Sequence, residues 1–270
     1  MSQLHIESTV ADSPRTHRIG QIVPSSNTTM ETELPVIFRL REAVYPERFT
    51  FHSARMRMMH VTAEALAAMD EQSDRCAEEL ADARVNVVGY ACLVAIMSKA
   101  LKYHTIAEQR LTTCMRRAGA NAEVISSAGA LIHGLRTLAA RKISLIAPYL
   151  KPLTARVISY IEDEGIEVHD ALSLEISDNL EVGRLCPRQL LEILPRLSTA
   201  QADVVVLSAC VQMPSLAALT PAESIVGRPV ISAAAATAFR MMEAMCLPPY
   251  APGVGALLTP GRASIRRTQS

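Results

Sequence analysis

Two stretches of this chain end alike. Val85 to Cys92 (VNVVGYAC) and Asp203 to Cys210 (DVVVLSAC) are each a Val-rich run closed by Ala-Cys. Runs of that kind are the strands of a parallel sheet covered on both faces. The two cysteines are 210 − 92 = 118 residues apart, close to half of the 270-residue chain. A second pair repeats in the same sense. Arg18 to Asn27 (RIGQIVPSSN) and Lys142 to Lys151 (KISLIAPYLK) each carry a basic residue, an apolar strand and then Pro in the turn. Two similar α/β halves facing each other across a cleft follow from this duplication.

The remaining pattern agrees, because short Val/Ile runs alternate with segments of helical periodicity. Candidate strands are 19–24, 49–57, 85–90, 121–126, 143–147, 167–171, 203–208 and 229–232. A helix is expected over Thr62 to Ala83, with Thr62 as its cap and Cys76 on its packing face. Another runs from Pro152 to Glu164 and stops at Gly165. The expected fold class is α/β: two pseudo-symmetric Rossmann-like halves with mostly parallel sheets and the active site in the cleft between them. The boundary is placed near Ala118 to Asn121, giving halves 1–118 and 119–270, with the last strand or helix free to cross back to the first. Residues 1–17 and the basic tail after Pro260 are expected to be flexible. The methionines at 56, 58, 59 and 69 are read as core packing, with a mobile flap as the other reading.

Composition removes several function classes. Lys plus Arg and Asp plus Glu both total 27, so no charge excess points to nucleic acid or a membrane surface. Aromatic residues are 4% of the chain and Trp is absent, which leaves little material for stacking bases or sugars. The six cysteines form no CxxC pair and the seven histidines no HExxH, so neither a disulfide framework nor a metal site is expected. The polar start of the chain lacks a signal-type apolar region and no apolar run reaches membrane-span length, giving a cytoplasmic reading. A small molecule is the expected partner.

Ligands of doubly wound sheets bind beyond the carboxyl ends of the strands. Four such places stand out. Pro24 to Thr29 (PSSNTT) is either a helix cap and turn or a polar loop whose side chains and N–H groups hold a carboxylate. Cys92 and Cys210 each end a strand, where a following helix would favour a thiolate; each is equally an inert packing residue taken alone. Their matched placement in two halves favours the chemical reading. Tyr149 follows the strand at 143–147 and either donates its hydroxyl into the cleft or is an ordinary interfacial Tyr.

At these residues a resemblance enters. PSSNTTMETE (24–33), GYACLVAIMS (89–98) and SACVQMPSLAAL (208–219) resemble segments of the maleate cis-trans isomerases, in the aspartate/glutamate racemase superfamily, in the same order and spacing. The resemblance runs from about Arg18 to Met245. It implies two pseudo-symmetric halves, no cofactor or metal, a homodimer, and maleate, a small dicarboxylate, as substrate. By position it implies Cys92 as nucleophile and Cys210 as proton donor. Asn27, Tyr149 and Asn179 are implied to bind the substrate carboxylates, with backbone groups of Leu93, Val94, Val211 and Gln212 completing the anion pocket. Unaided, Asn179 in SDNLEVGR reads only as part of a helix cap. The residue types suit the chemistry, since a cysteine near pKa ~8.5 needs only a moderate downward shift from a helix N-terminus or local donors to act as a thiolate.

Three rivals are weighed. An aspartate- or glutamate-type racemase would use the same cysteines, but such enzymes follow the first with Asn-Thr and the second with Thr, to hold an ammonium group. Here Leu93-Val94 and Val211-Gln212 follow. An arylmalonate decarboxylase relative needs one cysteine opposite a small apolar residue, and both are present. A non-catalytic small-ligand binder on the same fold is the third possibility.

Overall fold

The computed structural model describes residues 15–259. The first half runs β1 (Thr16–Pro24), α1 (Met30–Glu42), β2 (Arg48–Met56), α2 (Ala63–Asp70), α3 (Ser73–Asp82), β3 (Val87–Tyr90), α4 (Leu93–Met97), α5 (Tyr103–Arg117), β4 (Glu123–Ser126) and α6 (Ser127–Thr137). The second runs β5 (Lys142–Ala147), α7 (Lys151–Asp163), β6 (Glu167–Ser173), α8 (Asn179–Gly183), α9 (Pro187–Ile193), β7 (Val204–Ser208), α10 (Leu216–Val226), β8 (Val230–Ser232) and α11 (Ala233–Ala244).

The strands form two four-stranded sheets, ordered β2-β1-β3-β4 and β6-β5-β7-β8, with every pairing parallel. The second order is the first moved on by four strands. Both segment pairs singled out in the sequence are therefore equivalent strands, β1 with β5 and β3 with β7. These are the central strands of their sheets, and β3 and β7 are buried throughout, as their Val runs require. A third echo went unread: Val-Ile-Ser recurs in β4 and β8, and the closing serine of each caps the next helix, Ser126 accepting from the Gly129 N–H and Ser232 from that of Ala235.

All eight expected strands form. The helix expected over 62–83 is two helices, α2 and α3, with Glu71 and Gln72 between them. Thr62 does cap α2, accepting from the Ala65 N–H, and Cys76 is fully buried. Pro152 to Glu164 is α7 to within a residue, and Gly165 closes it at φ +82°. The 118/119 boundary precedes β4, which pairs with β3, so sheet membership divides the halves between Ser126 and Lys142. Thr16 and His17 belong to β1, contrary to the flexible start expected there; His17 is buried and stacks on Phe49 at 5.5 Å. The rest of that start and the tail after Pro260 lie outside the described residues. The last helix crosses back: α11 packs on α6, α1, β3 and β4. Among the described residues no helix is long and apolar enough to cross a membrane.

Candidate active site

The loops after the four central strands meet in one small cavity between the halves. These are the switch points of each sheet, where flanking connections diverge and leave a crevice. The two Ala-Cys turns enter it alike. Ala91 N–H donates to Ile22 O of β1 at 2.8 Å, and Ala209 N–H to Ile146 O of β5 at 2.9 Å, so each cysteine is pinned just past its strand end. Cys92 sits at the N-terminus of α4 and Cys210 opens the loop to α10; they are 6% and 7% exposed, and both line the cavity.

Burial controls both thiols. It pushes Cys92 up to about 12, against the Ala95 N–H that favours the thiolate, and the neighbouring Cys210 and Asp70 push the same way. It also raises Cys210, against hydrogen bonds from the Tyr149 hydroxyl and the N–H groups of Gln212 and Met213. The expected moderate lowering by a helix N-terminus is therefore reversed. Desolvation outweighs the few donors offered by the short turn of α4.

Every other expected site residue lines the same cavity. Asn27 turns its Oδ1 to the Met30 N–H at 3.1 Å, which leaves the two donors of its amide nitrogen. The Tyr149 hydroxyl meets the Ala209 carbonyl at 3.0 Å and the Cys210 thiol, and burial holds it well above the ordinary phenol range. It is a neutral donor. The cap of α8 is Asp178, which accepts from the Leu180 N–H at 2.8 Å; Asn179 is thereby released to the cavity, where its Nδ2 donates to Ser26 Oγ at 2.8 Å. Leu93, Val94 and Val211 supply buried walls. The Gln212 main-chain N–H points at Cys210 Sγ, 3.4 Å away.

Met58 and Val61 also line the cavity and went unread as site residues. Their segment, between β2 and α2, reaches the other half through a bridge of His60 to Asp178 and a 3.4 Å bond from Val61 N–H to Ser177 O. Of the four methionines read as core, Met56 and Met69 are, Met58 faces the cavity and Met59 is exposed. The methionine cluster was the available signal, but residue type alone does not distinguish a core face from a cavity face.

Comparison with known proteins extends this geometry. A family model described as arylmalonate decarboxylase matches residues 19–258, which takes in both Ala-Cys turns. A maleate isomerase from Geobacillus stearothermophilus is 58% identical over 243 residues, covering 90% of this chain and 97% of the relative. The chain belongs to the maleate isomerase family. Structures of that family share its fold: a Cys-to-Ala variant from Pseudomonas putida S16 with maleate matches at a TM-score of 0.90 and 54% identity, over 91% of this chain and 98% of that one. A Cys-to-Ser variant of the Nocardia farcinica maleate cis-trans isomerase, carrying a covalently bound succinylcysteine intermediate, matches at 0.87 and 42%, over 92% and 100%. In that relative, then, a cysteine carries a covalent succinyl group.

Proposed function

We propose that this chain converts maleate to fumarate through a succinyl adduct on Cys92, with Cys210 exchanging the proton. The observation that carries this reading is the delivery of two thiols from equivalent turns of opposite halves into one buried cavity walled by neutral donors. Cys92 first loses its proton to solvent. Its Sγ then adds to C2, the C2–C3 π pair moves to C3, and C3 takes the proton of Cys210. The C2–C3 bond is now single and rotates. Cys210 recovers the proton from C3, the pair re-forms the double bond, and the Cys92 sulfur leaves. Asn27, Tyr149 and Asn179, with the main chain of Leu93, Val94, Val211 and Gln212, hold the carboxylates. Neutral donors suit a carboxylate that must swing during rotation better than a bidentate Arg clamp does. The Tyr149 hydroxyl has one proton to give, to the Ala209 carbonyl while Cys210 is a thiol and to the sulfur when Cys210 is a thiolate.

A homodimer in the cytoplasm belongs to the same reading; sedimentation at the mass of two chains is the outcome that analytical ultracentrifugation should give, and sedimentation at one chain's mass would overturn the dimer. The activity is tested by proton NMR of maleate incubated with the purified protein and no additive, beside Cys92→Ala and Cys210→Ala. The parent forms fumarate and each variant loses at least about 10³-fold in turnover. A parent with reactive thiols that forms none overturns the reading, and aspartate and glutamate enantiomers are then the substrates to test.

A further inference from the structure

The Gln212 side chain lies inside the site yet has nothing left to offer a substrate. Its Oε1 accepts from the N–H groups of Thr28 (3.0 Å) and Thr29 (3.2 Å), and its Nε2 donates to the carbonyls of Ser26 (3.1 Å) and Asn179 (2.9 Å). A carboxamide has two lone pairs and two hydrogens, so all four positions are used. The partners are the main chain on either side of Asn27 and the main chain of Asn179 itself, while the Gln212 N–H faces Cys210 Sγ. One buried residue thus connects the proton-exchanging thiol to two carboxylate-binding amides, one of them in the opposite half. Its amide also has a fitted seat. A Cβ at Gly183, the last residue of α8, would fall 2.4 Å from Gln212 Nε2 and 3.1 Å from its Cδ.

We propose that the Gln212 carboxamide is a positioning residue that sets the spacing between the Cys210 thiol and the amides of Asn27 and Asn179, and that Gly183 is glycine in order to seat it. This rests on the reading that those three groups handle the substrate. No positive φ requires glycine at 183, and helix propensity favours Ala there, so the demand comes from the carboxamide. Gln212→Glu retains the acceptor for Thr28 and Thr29 but sets an oxygen against two carbonyls. Gly183→Ala leaves Gln212 in place chemically and displaces it sterically.

The experiment compares maleate kinetics of the parent, Gln212→Glu, Gln212→Ala, Gly183→Ala and the Gln212→Ala/Gly183→Ala double variant, with the rate of Cys210 alkylation by iodoacetamide read by mass spectrometry. Displacements of an ångström in a site cost about 10²-fold, so Gly183→Ala is expected to lose about that much kcat/KM, in both KM and kcat, while far-UV circular dichroism shows it folded at the assay temperature. The double variant should be no worse than Gln212→Ala alone, because the added methyl then has no carboxamide to displace. A Gly183→Ala enzyme within about twofold of the parent, or losses that add in the double variant, overturns the proposal. If the parent makes no fumarate, the functional reading falls by itself; the positioning role then stands or falls on whether Cys210 alkylation changes in Gly183→Ala and shows the same non-additivity.

Discussion

In the proposed reaction Cys92 must be a thiolate to add to an alkene, yet burial favours its protonated form, raising the pKa to about 12. The thiolate fraction then grows about tenfold per pH unit everywhere below that value. A kcat/KM profile for maleate that climbs steeply between about pH 6 and 8 is the expected outcome, and a flat one would show that the thiol ionises much lower than its surroundings dictate. Two residues upstream, Tyr90 donates to Asp70 at 2.6 Å, and the same carboxylate takes the Tyr103 hydroxyl at 2.9 Å and ion pairs with Lys99 and Arg110. Burial opposes ionisation of Asp70, but the hydrogen bonds from Lys99, Tyr90 and Tyr103 outweigh it and hold the carboxyl below its usual range. Its folded pKa is depressed, so its contribution is complete above the unfolded value near ~3.9 and is lost as pH falls through the folded one. Asp70→Asn is expected to cost about 2 to 3 kcal/mol at neutral pH, a gap that urea titrations should find closing in strong acid.

Asp70 also explains where reading by elements failed. The periodicity over 62–83 is continuous, but Asp70 ends α2 because its carboxylate is drawn to Tyr90, Lys99 and Tyr103, partners 20 to 33 residues away. No local pattern reports such a contact. The strands were legible because a parallel strand buried on both faces writes its burial into consecutive residues, as Val204 to Leu207 do. The positions of both cysteines followed from strand ends; their protonation did not, since it depends on how much water two halves exclude together. The same limit applies to Glu33, an acidic residue of the first turn of α1. Its carboxylate crosses to the other half and accepts the N–H groups of Ser215 (2.5 Å) and Leu216 (2.7 Å) at the start of α10. Gln212 does the reverse at the start of α1, so each half caps a helix of the other. Both N–H groups reach the same Glu33 oxygen, which a Gln oxygen can replace. Glu33→Gln should therefore melt close to the parent, whereas Glu33→Ala strands two buried donors and should lose about 1 to 3 kcal/mol; equal losses in the two would show that the charge, not the acceptor, matters.

At the scale of the molecule, the duplication produces a seam as well as a cleft. The helices that follow the matched edge strands β4 and β8 are α6 and α11, and they pack on each other across the two halves. Gly134 of α6 permits this approach, since a Cβ there would lie 3.1 Å from Leu257 Cδ2 and 3.4 Å from Ala236 Cβ. From Ala233 to Ala238 every residue of α11 is buried, in part against β3 and β4 of the first half. The first sheet is not fully covered by its own half, so separating the halves removes part of its cover and parts α11 from α6 and α1. The halves should unfold in one transition, with far-UV circular dichroism and the alkylation of buried Cys76 giving the same urea midpoint. Gly134→Leu overfills the seam and should move that shared midpoint to lower urea, by about 1 to 3 kcal/mol, without dividing it. Two separated midpoints, in the parent or the variant, would mean that each half holds its own core and that α11 merely rests on its neighbour.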